Sequence, residues 1–296
     1  MVQKLFYPNS RGIEPMDDGP FVHALGAYMT ALSEDKPTAL GTRFRPSEAL
    51  SCARQIGFRI IGMPVSQPIP VETLMAFEVG NRTHDTMQAV LRWAWNADIE
   101  VTSLISEDVS GYTDGVYLLE GTEEKVIVEI KSVAGFGFLL ATGSRRSDEG
   151  PGPKPEHLIQ AGMYARAHDA KLVHLIYFDK DRNGIAEWVL RTDMPLPDRY
   201  EGFSIEQLVD AELARFQGIG GRLDNGMLPA RHIPGWGRVD VPSSPGTREE
   251  PWNCRYCRFQ PDCAKLPSEP VPIEDFPSYG LDIPTPHPET SDVPTS

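Results

Sequence analysis

No stretch of this sequence is apolar for long enough to cross a bilayer, which takes about 20 consecutive apolar residues. The segment Met1-Val2-Gln3-Lys4-Leu5-Phe6-Tyr7-Pro8 also lacks the apolar core of a secretory signal. No membrane partner is therefore expected, and the compartment expected is intracellular and cytoplasmic. No G-x₄-G-K-[ST] phosphate loop occurs, so a nucleotide-driven motor would have to be a partner. No internal repeat is visible. Cysteine is scarce, at four residues in 296; in a reducing compartment such thiols serve as metal ligands or stay free rather than pair as disulfides. From Leu266 to Ser296 there is no Lys or Arg, while six acidic residues and eight prolines occur there. Without apolar periodicity, residues 267–296 are expected to be a disordered acidic, Pro-rich tail.

What is present is ordinary in proportion. A content of 40% hydrophobic and 24% charged residues suits a globular domain, and the length allows one sizeable core or two small ones. The net charge of −14 argues against a protein that coats nucleic acid without specificity. It leaves room for a site whose carboxylates are neutralised by bound cations.

Residues 1–43, interrupted by Gly and Pro, are expected to be an N-terminal extension with one helical candidate, Phe21 to Leu32. A single domain is expected over 44–266. Ser47 is a candidate N-cap for a helix running to Gly62, which Pro64 would stop. A second helix is expected from Val71 to Trp95, with Met75, Val79, Met87 and Val90 as its apolar stripe. The pattern then changes to period two, giving strands at Glu100–Ser106, Gly111–Leu119 and Lys125–Val133. A loop from Gly135 to Pro155 carries Arg145, Arg146 and Lys154. A helix to His168, strands at Leu172–Asp179 and Ile185–Arg191, and a helix over Ser204–Arg222 follow. The order predicts an α/β fold with a mixed sheet.

The chemistry concentrates in Gly111-x₂-Asp114-Gly115 and Glu129-Ile130-Lys131. Strand residues alternate faces, so Glu129 and Lys131 project together while Val128 and Ile130 point the other way. Charges amid Val and Ile on a core strand are costly unless something compensates, and a divalent cation does so. Asp114 and Glu129 offer hard oxygen ligands suited to Mg²⁺ or Mn²⁺, and Lys131 can orient or deprotonate an attacking water. A two-residue turn at Gly121-Thr122 sets paired positions to sum to 243, which places Asp114 opposite Glu129. A five-residue loop would split the carboxylates across the sheet. The bland alternative is a solvated surface hairpin.

His84 falls at the edge of the expected apolar stripe, where a histidine is more often a boundary residue than a ligand; as a ligand it favours Mn²⁺ over Mg²⁺. Gln160 and Tyr164 share one helical face and can contact a phosphate or serve as surface polarity. Cys254-x₂-Cys257-x₅-Cys263 is a compact nest of three, and Cys52 lies 202 positions before Cys254. Thiolate ligation selects zinc or an iron–sulfur cluster. The lack of a second C-x₂-C pair favours iron–sulfur. Joining Cys52 to this nest closes a very long loop, so metal binding is expected to couple to folding. Arg54, Arg59, Arg145, Arg146, Arg255 and Arg258 are candidate DNA contacts, each equally consistent with ordinary solvated surface.

Together these residues resemble the RecB-like PD-(D/E)XK exonucleases of the Cas-four type, which also occur in phage genomes. Ser47-x₄-Cys52-x-Arg54, Gly80-x₃-His84, Gly111-x₂-Asp114-Gly115, Glu129-Ile130-Lys131, Gln160-x₃-Tyr164 and the last three cysteines follow that family's motif order. The resemblance covers Ser47 to Cys263. It implies a restriction-endonuclease-like fold, with a four-iron four-sulfur cluster on Cys52, Cys254, Cys257 and Cys263 clamping the N- and C-terminal parts. It also implies Mn²⁺ or Mg²⁺ on His84, Asp114, Glu129 and the carbonyl of Ile130, with catalysis by Asp114, Glu129 and Lys131 and substrate held by Gln160 and Tyr164. The activity implied is exonuclease action on single-stranded DNA or duplex ends, serving recombination, repair or spacer acquisition alongside recombination or CRISPR-adaptation proteins, in the host cytoplasm if phage-encoded. The long segment 132–154 and the acidic tail depart from the family pattern. A competing reading is a non-catalytic nucleic-acid-binding or scaffold module stabilised by a four-cysteine metal site.

Overall fold

The computed structural model describes residues 24, 25, 28, 40–67, 69–143, 152–231, 254 and 257–283. The candidate helix at Phe21–Leu32, but for three of its residues, and Arg145, Arg146 and Arg255 lie outside this set.

Five strands among the described residues form one mixed sheet in chain order: β1 (Asp98–Ser106), β2 (Val109–Leu118), β3 (Lys125–Val133), β4 (Leu172–Asp179) and β5 (Ile185–Arg191). Only β3 and β4 pair in parallel. Both are nearly continuous apolar runs, and both are buried on their two faces, as a parallel pair requires. Parallel pairing also needs a long crossover, here α3 (Gly135–Thr142) and α4 (Pro155–Ala167). On one face Ile127, Val173 and Leu175 pack with Leu158, Ile159 and Met163 of α4 and with Ile205, Leu208 and Val209 of α5 (Ile205–Asp224). On the other face Val128, Ile130 and Ile176 pack with Leu91 of α2 (Val71–Trp95). The mixed α/β sheet flanked by helices is the architecture expected.

A capping box starts α5: Ser204 Oγ accepts from Gln207 N–H and Gln207 Oε1 accepts from Ser204 N–H. No helix among the described residues is long and apolar enough to cross a membrane.

Four expectations need correction. The helix expected from Ser47 to Gly62 is broken into a 3₁₀ turn, Pro46–Glu48, and α1 (Ala53–Ile60). Leu50 between them has a left-handed backbone, φ 55°, and its N–H donates to buried Glu212 of α5, while Arg215 binds Ser51 O. Of the expected stripe of α2, only Met87 packs against the core. Met75, Val79 and Val90 are exposed, and the buried positions are Leu74, Gly80, Gln88 and Leu91. The loop expected from Gly135 to Pro155 begins with α3, whose Gly135 lies so close to Asp181 that a Cβ would sit 3.0 Å from its Oδ2.

The fourth is the tail. Among residues 267–296, the described part up to 283 forms β7 (Val271–Pro272), paired with β6 (Met227–Leu228), and a 3₁₀ turn at Ile273–Tyr279. Val271, Phe276 and Leu281 are buried there with Phe58, Met63, Leu228, Phe259 and Leu266 in a second, smaller core. α6 (Gln260–Lys265) borders this core, and Cys257 and Cys263 pack against it. Three widely spaced apolar side chains carry the segment, too few to register as a period.

Candidate active site

The register of β2 and β3 opens the site. Their paired positions run from Leu118↔Lys125 to Gly115↔Val128, each summing to 243 as expected, and then stop. The connection is wider than a two-residue turn. Leu119 N–H bonds Glu124 O, Thr122 N–H bonds Leu119 O, and Gly121 takes φ +76° between them. Beyond Gly115 two side chains of β2 replace backbone rungs. Thr113 Oγ1 donates to Val128 O at 3.3 Å, and Asp114 Oδ2 accepts from Ile130 N–H at 2.7 Å. The strands part at Asp114, and helices from both faces reach the parting.

From one face comes His84 on α2, whose Nδ1 lies 3.2 Å from Asp114 Oδ1. It arrives because α2 runs close to β3: a Cβ on Gly80, one turn earlier, would stand 2.8 Å from Ser132 Oγ. This close approach explains the spacing Gly80-x₃-His84. From the other face come Gln160 and Tyr164 on α4. Tyr164 lies against Gly111, where a Cβ would meet its Oη at 2.8 Å and Pro46 Cδ at 3.1 Å. Glycine at 111 is therefore the condition for Tyr164 to sit beside β2.

Glu129 is 2% exposed. Its Oε1 is paired with Lys131 Nζ at 2.5 Å, and Lys131 Nζ also donates to Gln160 Oε1 at 2.8 Å. Gln160 Nε2 in turn reaches Tyr164 Oη at 3.4 Å. Glu129 Oε2 is buried and has no hydrogen-bond partner, a costly state for a carboxylate oxygen. Burial pushes the Glu129 carboxyl above its usual range and the Asp114 charge adds to this, with Lys131 offsetting part. For His84, burial pulls down, but the Asp114 hydrogen bond and charge outweigh it and hold the imidazole above its ordinary value. Burial and then the Glu129 charge drive the Tyr164 phenol well up, keeping its proton on.

His84, Asp114 and the Ile130 N–H thus form one hydrogen-bonded set and Glu129, Lys131, Gln160 and Tyr164 another, the two within electrostatic reach of each other. As the side chains stand, no group of three or more His, Cys, Asp or Glu among the described residues is arranged to hold a metal ion. The donor set nonetheless fits a divalent cation: two carboxylates and an imidazole lie at one parting of the sheet, and one buried oxygen lacks any partner. The supporting role of Thr113 was missed from the sequence. A Thr-Asp pair ending a strand ladder is the only signal for it.

The four cysteines stand apart from these two sets. Cys257 lies within electrostatic reach of Cys263, Cys52 and Cys254. Burial pushes the Cys257 thiol up to about 11 and raises that of Cys263, which Arg231 and Arg54 partly hold back. Hydrogen bonds join the N- and C-terminal parts here. Ser66 and Gln67 N–H bond Arg258 O, and Gln67 Nε2 bonds Cys257 O at 2.7 Å. Two expected DNA contacts are committed elsewhere: Arg54 is fully buried, and Arg59 is held by Glu48 and Arg43 O.

Compared by sequence, the chain matches no protein-family model and no curated protein. Compared by fold, it is similar to SSO0001 at 17% identity, covering 85% of this chain and 98% of that one, with a TM-score of 0.46. It is also similar to an alkaline exonuclease, LHK-Exo, from Laribacter hongkongensis at 14% identity, covering 67% and 96%, with a TM-score of 0.39. The structure of LHK-Exo in complex with dAMP compares at 15% identity, covering 61% and 91%, with a TM-score of 0.32.

Proposed function

We propose that the chain is a metal-dependent DNA exonuclease that hydrolyses phosphodiester bonds at DNA ends or in single strands. One observation carries the reading. Glu129 buries an oxygen without a partner beside Lys131, which also holds Gln160, and within electrostatic reach of Asp114 and His84. His84, Asp114 and Glu129, with the Ile130 carbonyl, would hold Mn²⁺ or Mg²⁺, which supplies positive charge to polarise a phosphate. Lys131, fixed by Glu129 and Gln160, has one N–H left to orient a water or meet charge developing on the phosphate. Gln160 and Tyr164 line the α4 side, where their polar ends can meet the DNA backbone. A cluster on Cys52, Cys254, Cys257 and Cys263 would be structural, tying the chain's two ends beside the second core, and the donor set of four thiols suits iron–sulfur or zinc.

The test is degradation of DNA labelled at either end, single-stranded and duplex, with Mn²⁺, Mg²⁺ or EDTA. Metal-dependent release of short products that disappears in Asp114→Asn and Lys131→Met supports the reading. Intact DNA under every condition, or unchanged rates in both variants, overturns it in favour of a binding or scaffold module.

A further inference from the structure

Arg54 is 0% exposed and lies in the first turn of α1, two residues after Cys52. A guanidinium offers five N–H groups, and all its partners are on the far side of the chain. Nε donates to Pro229 O at 3.0 Å, Nη1 to Pro267 O at 2.6 Å, and Nη2 to Ser268 O at 3.3 Å and Glu269 O at 2.5 Å. The Cys263 and Cys52 side chains lie within electrostatic reach of the guanidinium. None of these acceptors is a carboxylate. A second cation stands on the same sulfur-bearing turn: Arg231 Nη2 donates to Cys263 O and Leu266 O. Among the described residues neither arginine has an acidic partner.

A buried, permanently charged group held only by neutral dipoles is unfavourable unless an opposite charge lies close. Among the described residues, the side chains whose negative charge would favour the Arg54 cation are those of Cys263 and Cys52. We propose that Arg54, seconded by Arg231, is the counter-charge of an anionic, thiolate-ligated metal centre on Cys52, Cys254, Cys257 and Cys263, and that through the carbonyls of 267–269 it makes the order of the C-terminal segment depend on that centre. The inference rests on reading the four cysteines as a metal centre. Four thiolates around a divalent ion or a four-iron four-sulfur core leave net negative charge, which two adjacent guanidiniums offset. Charge and hydrogen bonds at the sulfurs are also what tunes a cluster's reduction potential.

The experiment uses the full chain, purified without oxygen, as wild type, Arg54→Met, Arg54→Lys and Arg231→Met. It reads metal per chain, retention against a chelator, midpoint potential where the metal is iron, and amide exchange over 267–283. Arg54→Met is expected to hold its metal about 10–100-fold less tightly, as loss of a supporting group does. Its potential is expected to fall, since a cation beside the cluster has gone, and exchange over 267–269 to quicken. Arg54→Lys keeps the charge with fewer donors, so its potential stays near wild type while exchange still quickens. Arg231→Met, which leaves the carbonyl pin intact, shifts retention and potential in the same direction by less, and serves if Arg54→Met does not fold. Metal-bearing wild type with Arg54→Met and Arg231→Met unchanged in retention, potential and exchange overturns the counter-charge alone. Wild type free of metal overturns the centre itself, and the counter-charge with it.

Discussion

Asp114 Oδ2 accepts the Ile130 N–H at 2.7 Å, so a side chain of β2 fills a rung that the backbone of β2 leaves open. The same carboxylate meets His84 through its other oxygen. One residue thus serves both the sheet and the candidate metal site, and substitutions can separate the two roles. Asn keeps an acceptor for Ile130 but loses the charge, whereas Ala leaves a buried N–H without a partner, at a cost of about 1–3 kcal/mol. Both variants are expected to lose nuclease activity by more than the roughly 10–100-fold typical of a supporting residue. Urea denaturation is expected to find only Asp114→Ala destabilised; equal stability of the two variants would show that the Ile130 bond contributes little.

Lys131 supplies the positive charge at Glu129 Oε1. Replacing it by Met leaves a buried carboxylate uncompensated, which costs about 3–5 kcal/mol in such settings. Pairing Lys131→Met with Glu129→Gln should recover most of that loss, because the charge to be compensated is gone. Thermal melts of the four proteins close the cycle, and additive losses would mean that the two groups are not coupled.

A divalent cation is expected to raise the melting temperature of the wild type. Binding to the folded state alone adds about 2.7 kcal/mol at a hundred times the dissociation constant. Glu129→Gln and Asp114→Asn should show little of that gain with Mn²⁺, and His84→Ala should lose more of it with Mn²⁺ than with Mg²⁺, since imidazole suits the former. A shift of equal size in Asp114→Asn and wild type would place the ion elsewhere.

The strands were legible because their signals are local. Val126 to Ile130 with Glu129 and Lys131 alternating reads as a core strand with a charged exception, and the sum of 243 for β2 and β3 holds although the turn is wider than expected. The helices were less legible. Met75, Val79 and Val90 looked like the inward stripe of α2, but the approach of Gly80 to Ser132 turns the His84 and Leu91 side inward and leaves them exposed. A hydrophobic pattern cannot register that a missing side chain decides which face packs. Gly135 and Gly137 likewise disguised α3 as loop, and Arg54, read as a DNA contact, proved buried because its partners are carbonyls more than 170 positions away.

Gly111 tests how tightly the α4 side of the site is built. Adding a methyl in Gly111→Ala brings a carbon against Tyr164 Oη and Pro46 Cδ, and overpacking of this kind costs about 1–3 kcal/mol. Removing the hydroxyl in Tyr164→Phe should relieve only part, because the ring carbon Cε1 would still lie 3.0 Å from the new methyl. Calorimetry on the single and double variants decides; a Gly111→Ala protein as stable as wild type would mean that the helix yields.

The segment after Leu266 offers the sharpest contrast with a disordered tail. Phe276 is 0% exposed and stands 6.4 Å from the Phe58 ring of α1, while Val271 and Leu281 bury beside it. Phe276→Ala should therefore cost about 3–5 kcal/mol, as for other buried aromatics. A disordered tail would show no change. Compared with a chain ended after Ile283, one ended after Leu266 loses Val271, Phe276 and Leu281 from the second core together with the Pro267, Ser268 and Glu269 carbonyls that hold Arg54, and is expected to melt lower. Its loss should exceed that of Phe276→Ala, because the truncation also leaves a buried guanidinium short of acceptors. Equal melting temperatures for the two truncated chains would remove the segment from the fold and, with it, the reason for Arg54 to be buried.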